Sequence, residues 1–469
     1  MVIAKLDIGL NDRRWAQLLF SIFLLVAIFS TSAHARTGGG PSGTFAVPAE
    51  LVDKWSAFDG RQVKAIAIDG LARTREITMT WMMATKVGLP FAAESLARDL
   101  QLLYNTGNLY DLAAEVMLDE GGGVIVKVVL KDKWTLFPAF GAQGGGGSMT
   151  VGGGVFESNL LGYMANASVL VWTFNGANSY DINTNQEYFR GTQTMWSIDS
   201  QNSIEPQNVH YYSGASAGQF AWRRQQTELM LGTHLRFLDA PIRAMFYGSV
   251  YQDSVFSNDG GFSINTGPGL QQRVYPKVIF GRDDWTNYLE NGFELTIQPT
   301  FANFMGGGLQ YAALEVDFKR VWIIGPKGQD NFAMYVSASS MGNGGPDFQY
   351  NIGGYYNVRG YADLREFGRK MAFADVEYRP YLFSYRWHLL GADLMAVQGC
   401  VFTDTGSAWG DSSLTGEAAV GDFRPLWSAG LGIRVNMVKF AGAILRLDWA
   451  RTISPDEGIG FSFGVGQFF

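Results

Sequence analysis

Residues 293–298 read FELTIQ, residues 314–319 read LEVDFK and residues 445–450 read LRLDWA. In the first, Phe293, Leu295 and Ile297 alternate with Glu294, Thr296 and Gln298; in the second, Leu314, Val316 and Phe318 alternate with Glu315, Asp317 and Lys319. The third sets Leu445, Leu447 and Trp449 against Arg446 and Asp448. A period of two places successive side chains on opposite faces of a strand, so each segment has one apolar face and one charged face. Two architectures use such strands. A soluble sandwich turns the apolar face inward, whereas a membrane barrel turns it toward lipid and keeps the charges in a lumen. Tyr, Trp and Phe stud the strand ends of residues 138–469, the girdle pattern of a barrel, and a sheet crossing lipid must close on itself because open edges find no hydrogen-bond partner there. The expected fold is therefore an all-β transmembrane barrel over 138–469, with room for about 16 antiparallel strands at roughly 20 residues per strand and connection.

The rest of the 469-residue chain bounds the alternatives. Beyond the N-terminus no stretch reaches the ~18 apolar residues of a membrane helix. A net charge of −7 without a basic stripe argues against a nucleic-acid partner. A single cysteine, Cys400, excludes an intramolecular disulfide and reads as a small filler. Arg13 and Arg14 precede the apolar run WAQLLFSIFLLVAIFS, and TSAHA follows with Ala33 and Ala35 at the small-residue positions. This predicts an export signal over 1–35, cleaved after Ala35. Residues 36–61 begin RTGGGPSGTFAVP and read as a flexible leader.

Residues 62–137 have a different texture. QVKAIAIDG reads as a strand and TREITMTWMMATKVG as a helix with Ile77, Trp81 and Ala84 on one side, stopped by Gly88 and Pro90. AAESLARDLQLLYNTG reads as a second helix with a Leu96, Leu100, Leu103 stripe and Gly107 as its C-cap. NLYDLAAEVMLDE and GVIVKVVLKDK follow as strands joined by Gly121–Gly123. The order β-α-α-β-β over this length suits one small α/β domain.

That order, with LYNTGNLYDLAAEV at the helix-to-strand turn, resembles a polypeptide-transport-associated (POTRA) domain, here in a single copy. Four motifs of the later region resemble the BamA/TamA superfamily of outer-membrane barrels: VRGY (Val358 to Tyr361), ADVEYRPYLF (Ala374 to Phe383) with Glu377 at an inward acidic position, FTDTG (Phe402 to Gly406), and the pair NLLGYM and SAGLGIRV near the barrel's start and end. The final FSFGVGQFF puts Phe461, Phe463, Val465 and Phe469 on one face and is similar to the C-terminal insertion signal of outer-membrane barrels. The resemblance implies a Gram-negative outer-membrane protein that inserts or translocates polypeptides. Its POTRA domain would lie in the periplasm and hold client chains at a sheet edge, with accessory proteins as further partners. The VRGY loop would fold back into the lumen.

Strand parity adds an inference independent of the family. With Val376 and Tyr378 facing lipid, Asp375, Glu377 and Arg379 face the lumen. With Val397, Val401 and Thr403 on one face of LMAVQGCVFTDTG, Gln398, Cys400, Phe402 and Asp404 share the other. Arg359 on the VRGY loop would then meet Glu377 and Asp404. A buried arginine requires such partners, and its planar fork grips a carboxylate bidentately as lysine cannot. Gly360 supplies the tight turn, Phe402 or Tyr361 a ring for the guanidinium, and Gly406 closes the FTDTG motif. The expected site is a latch tying a lumenal loop to the wall. Glycine in GAQGGGGSMTVGGGVF and at Gly464 and Gly466 predicts a weak seam between first and last strands.

Two other functions bear on this sequence. A passive channel is compatible with a barrel of this size. An enzyme is suggested only by GASAG, which matches the G-x-S-x-G pattern at Ser216 but lies in a strand-like segment rather than a strand-to-helix turn. His210, His234 and His388 show no metal or triad spacing, so no metal, cofactor or enzymatic activity is expected.

Overall fold

The computed structural model describes residues 47–465 apart from 146–147, 175–176, 211–215, 238–239, 265, 268, 287, 304, 306–309, 343–349, 356, 386–394, 411–422 and 438–443. The expected signal over 1–35, most of the leader, His388, Gly466 and Phe469 lie outside the described residues.

The chain opens with a small α/β unit: α1 (Ala49–Ser56), β1 (Val63–Asp69), α2 (Glu76–Met82), α3 (Ala93–Asn105), β2 (Leu109–Leu118) and β3 (Val124–Asp132). Its sheet runs β1-β3-β2, with β1 parallel and β2 antiparallel to the central strand. The alternating Val124, Val126, Val128 and Leu130 face Leu96, Leu100 and Leu103, and all seven are buried. Three features depart from expectation. Residues 49–56, assigned to a flexible leader, form α1, because Trp55 inserts into this core with Val47, Val52 and Phe58 against it. The buried face of α2 is Thr78, Met79 and Met82, while Ile77 and Ala84 are exposed. In β1 a register shift between Val63 and Ala65 lets both Val63 and the later Ile66 and Ile68 reach the core.

The barrel follows as β4 (Leu136–Gly145), β5 (Ser148–Leu160), β6 (Ala165–Phe174), β7 (Ala177–Gln186), β8 (Thr194–His210), β9 (Ser216–Phe237), β10 (Ala240–Asn258), β11 (Gln271–Thr286), β12 (Leu289–Ala302), β13 (Tyr311–Ile324) and β14 (Asp330–Met341). A lumenal excursion carries the short ribbon β15 (Tyr350–Ile352) and β16 (Glu366–Gly368). The wall resumes with β17 (Lys370–Arg379), β18 (Tyr381–Tyr385), β19 (Met395–Trp409), β20 (Leu426–Met437), β21 (Ile444–Ser454) and β22 (Ile459–Val465). β17 and β18 are one strand interrupted at Pro380, which lacks a ladder donor, and both pair with β19; the closed antiparallel wall therefore has 16 strands. It begins at Leu136, two residues before the expected boundary.

The faces sort as a barrel requires. Leu229, Leu231, Phe246, Leu314, Val401, Leu431 and Trp449 are exposed on the outside. Asp375, Glu377, Arg379, Asp404, Arg434 and Asp448 are buried on the inside. A sandwich would reverse this arrangement.

The α/β unit grips one end of the wall. The turn after β5 offers Gly162 O to the Arg75 N–H at 2.9 Å and to Thr78 Oγ1 at 3.1 Å. Arg75 Nε donates to Leu161 O at 3.1 Å, and its guanidinium lies over the Tyr163 ring at 4.4 Å. A second footing lies across the mouth, where Asn105 at the end of α3 donates to Asp284 Oδ1 on β11 at 2.9 Å.

Candidate functional site: a latch in the lumen

The excursion between β14 and β17 leaves the end of the barrel opposite the α/β unit and turns back inside. Arg359 sits at its depth, with no solvent exposure. Nε and one terminal nitrogen donate to the two oxygens of Asp404 at 2.8 and 2.7 Å, a bidentate fork, and the Arg359 backbone N–H also donates to Asp404 at 3.0 Å. The other terminal nitrogen donates to Glu377 Oε1 at 2.6 Å, and Asp375 Oδ1 accepts at 3.1 Å. The guanidinium plane lies 3.4 Å from the Phe402 ring centroid. In a dry site an arginine is retained only when its charge and its donors are matched in this way.

The wall strands explain how the motif works. Phe402, Asp404 and Gly406 follow one another on the lumenal face of β19. Phe402 supports the guanidinium and Asp404 grips it. Gly406 clears space, since a Cβ there would lie 2.5 Å from Ile352 of the loop ribbon. Gly360 has a φ of +95° and packs against Ala450 of β21, so the turn needs glycine both for conformation and for close approach. Tyr361 does not stack on Arg359. Its hydroxyl donates within 2.9 Å of the Trp427 and Pro455 carbonyls, fixing the loop to β20 and to the turn before β22.

Arg359, Glu377, Phe402 and Asp404 thus come together as the parity argument expected, and the charge cluster is larger than expected. Arg379 Nε donates to Glu377 Oε2 at 2.6 Å. Arg434 donates to Glu377 Oε1 at 3.1 Å and to Asp448 Oδ1 at 2.6 Å. Arg446 lies 3.4 Å from Asp448 and donates to Tyr355 O at 3.2 Å, its guanidinium over the Tyr355 ring at 4.1 Å. Four arginines interleave with Asp375, Glu377, Asp404 and Asp448, so formal charges balance. Toward the α/β unit, Arg379 approaches Glu290 at 3.7 Å, and Glu290 also pairs with Lys319. The signal for the added partners was present in the alternation of LRLDWA and SAGLGIRV, whose charged faces lie on the same wall.

Both flanks of the loop are pinned as well. Arg365 Nε donates to Glu457 at 3.0 Å, Glu366 accepts from Ser407 Oγ and the Ala408 N–H, and the Tyr350 hydroxyl donates to Glu315 on β13 at 3.2 Å. Cys400 is buried beside Arg434.

The seam pairs Phe463 of β22 with Gly144 of β4 and so closes the wall. Its glycines are placed differently from expectation. Gly152, Gly153 and Gly154 lie on β5, one strand away from the seam, where Gly152 and Gly154 let β6 approach so closely that a Cβ would clash with its backbone. Gly464 of β22 faces the loop: a Cβ there would overlap the Tyr355 hydroxyl. Phe461 is exposed and stacks near Trp449 and Phe463 on the outer face; Val465 ends β22. Ser216 opens strand β9, away from any helix, and no group of metal-ligating residues occurs among the described residues.

No family model matches the sequence, and no curated protein matches it significantly. Solved structures do resemble the fold. CdiB from Escherichia coli aligns with a TM-score of 0.61 over 96% of this chain and 96% of its own, at 12% identity. CdiB from Acinetobacter baumannii aligns at 0.58 over 87% and 74%, with 13% identity. The structure of BamA from Haemophilus ducreyi lacking POTRA domains 1–3 aligns at 0.54 over 87% and 85%, with 14% identity.

Proposed function

We propose that this chain is an outer-membrane protein of the BamA/TamA superfamily that inserts or translocates polypeptides. The α/β unit serves as a periplasmic POTRA domain that receives client chains at a sheet edge, and the barrel admits them at the β4–β22 seam. The observation that carries the reading is a loop locked into the lumen by Arg359, in a wall closed by pairing of its first strand with its last at Gly144 and Phe463. A passive pore has no use for a pinned loop, which narrows the lumen. A strand-exchange device can use such a closure, because the edges freed when first and last strands part are a template for a further strand. The likeness to BamA and CdiB barrels supports the same reading at the level of fold.

The C-terminal strand with Phe461, Phe463, Val465 and Phe469 serves as the insertion signal, residues 1–35 as the export signal, and no catalytic chemistry is assigned. The test is deletion of residues 62–133 in protein reconstituted into vesicles and supplied with a urea-unfolded barrel client. The shortened barrel is expected to fold, as judged by heat-modifiable migration, while client insertion falls at least tenfold. Undiminished insertion would remove the α/β unit from the mechanism.

A further inference from the structure

Strands β8 to β10 run past the length that lipid requires. On β9 the outward Leu235, Leu231 and Leu229 are exposed, and residues 227–235 make a span of nine; a tilted strand needs about 9–11 residues to cross hydrocarbon. The next outward positions are Gln225 and Arg223. The same change runs across the neighbouring strands in register. Gln225 lies between Asn202 on β8 and Gln252 on β10, and Asn202 lies beside Tyr180 on β7. One step farther from the α/β unit, Arg223 lies between Ile204 and Ser254. A row of tyrosine and three carboxamides therefore borders the apolar band, with a guanidinium above its middle. On β12 and β13, by contrast, the outward positions toward the same end include the exposed Phe301 and Leu314.

Two details point to a ligand. Arg223 lies over Phe256 at 5.0 Å, yet its Nε is buried with no hydrogen-bond partner among the described residues. Asn202 Oδ1, in the row below, is also buried without one. Beside them the Gln225 and Gln252 side chains are exposed on the outward face, where polar groups at a lipid boundary should meet water or a headgroup. We propose that this face of β7–β10 binds a phosphorylated glycolipid headgroup. Its phosphate would be taken by Arg223 and its sugar hydroxyls by Asn202, Gln225 and Gln252, while Tyr180 and Phe256 offer flat apolar surface to the sugar rings. The position at the edge of the apolar band places the partner in the polar layer of the membrane. A lone cation among carboxamides selects a phosphate flanked by hydroxyls over a simple phosphodiester. The assignment rests on the reading of the barrel as membrane-spanning with the α/β unit on the opposite side.

The experiment is native mass spectrometry of the detergent-solubilised full chain titrated with lipid A, dephosphorylated lipid A or phosphatidylglycerol. Wild type is expected to retain lipid A at concentrations at least tenfold below those needed for the other two. Arg223→Ala should abolish that preference, Arg223→Lys should keep part of it, and Gln225→Ser with Gln252→Ser should weaken it while preserving a polar strand. Heat-modifiable migration verifies that each variant is folded. Equal retention by wild type and Arg223→Ala, or phosphatidylglycerol held as tightly as lipid A, would overturn the assignment. Lipid retention needs no client, so a barrel that holds lipid A but inserts nothing refutes only the proposed function.

Discussion

Arg359 is held by geometry that a change of side chain can separate from charge. Arg359→Lys keeps the cation but supplies one ammonium where the fork reaches Asp404 twice, Glu377 and Asp375. Arg359→Ala leaves three carboxylates short of a cation, and removing one partner of a buried pair typically costs about 3–5 kcal/mol. Both variants should free the loop, with Arg359→Ala the more severe, and the readout is protease cleavage within 350–368 in folded barrel. If Arg359→Lys is as resistant as wild type, charge alone secures the loop. Lys133, in the linker between β3 and β4, makes a contrasting case. Its Nζ is buried with no hydrogen-bond partner among the described residues, and burial pushes its ammonium down to about 7. The unfolded chain binds that proton up to about pH 10.4 and the folded chain does not. Stability should therefore rise between about pH 7 and 10, where the unfolded state carries more protons. Lys133→Met should raise the thermal midpoint at pH 7 and flatten that rise in a melting series across pH.

Among the elements, the wall strands were legible because a period of two is a strong signal when one face meets lipid and the other a lumen. The inward faces of β17 and β19 followed from that period alone, and with them the carboxylates for Arg359. Helix α2 was misread because Ile77 and Trp81 look like a core stripe, while the packed face uses Met79 and Met82, whose flexible side chains fill space without a distinctive pattern. Glycine was the least legible residue. A Gly-rich stretch does not reveal which positions sit in the closing pair, as Gly144 does, and which make room for a neighbour, as Gly464 does beside Tyr355. The strand at the seam is β4, so a covalent lock belongs between residues 140–145 and 461–465, not on β5. In a Cys400→Ser background, Gly144→Cys with Phe463→Cys is expected to form a disulfide on oxidation, to stop client insertion, and to recover on reduction. A fully formed bridge with undiminished insertion would exclude opening at this seam.

At the scale of the whole molecule, the loop divides the lumen into two unlike halves. It lies along the wall from β13, where Tyr350 meets Glu315, round to β22, where Tyr355 occupies the space over Gly464. On the remaining wall, β7 and β8 face the lumen with Asn183, Asn185, Ser197, Asp199 and Gln201, polar side chains that favour water over packing. The lumen should therefore conduct weakly along one side while the loop is latched. Replacing residues 353–365 with a short Gly-Ser linker removes Arg359, Tyr361 and Arg365 together and leaves the strands intact. In planar bilayers that variant is expected to show a single-channel conductance several-fold above wild type, and Arg359→Ala a flickering intermediate level, since its loop can still visit the wall. A porin-like protein would behave otherwise. If wild type already conducts as strongly as the loopless barrel, the loop does not restrict the lumen, and the passive channel becomes the better account of this fold.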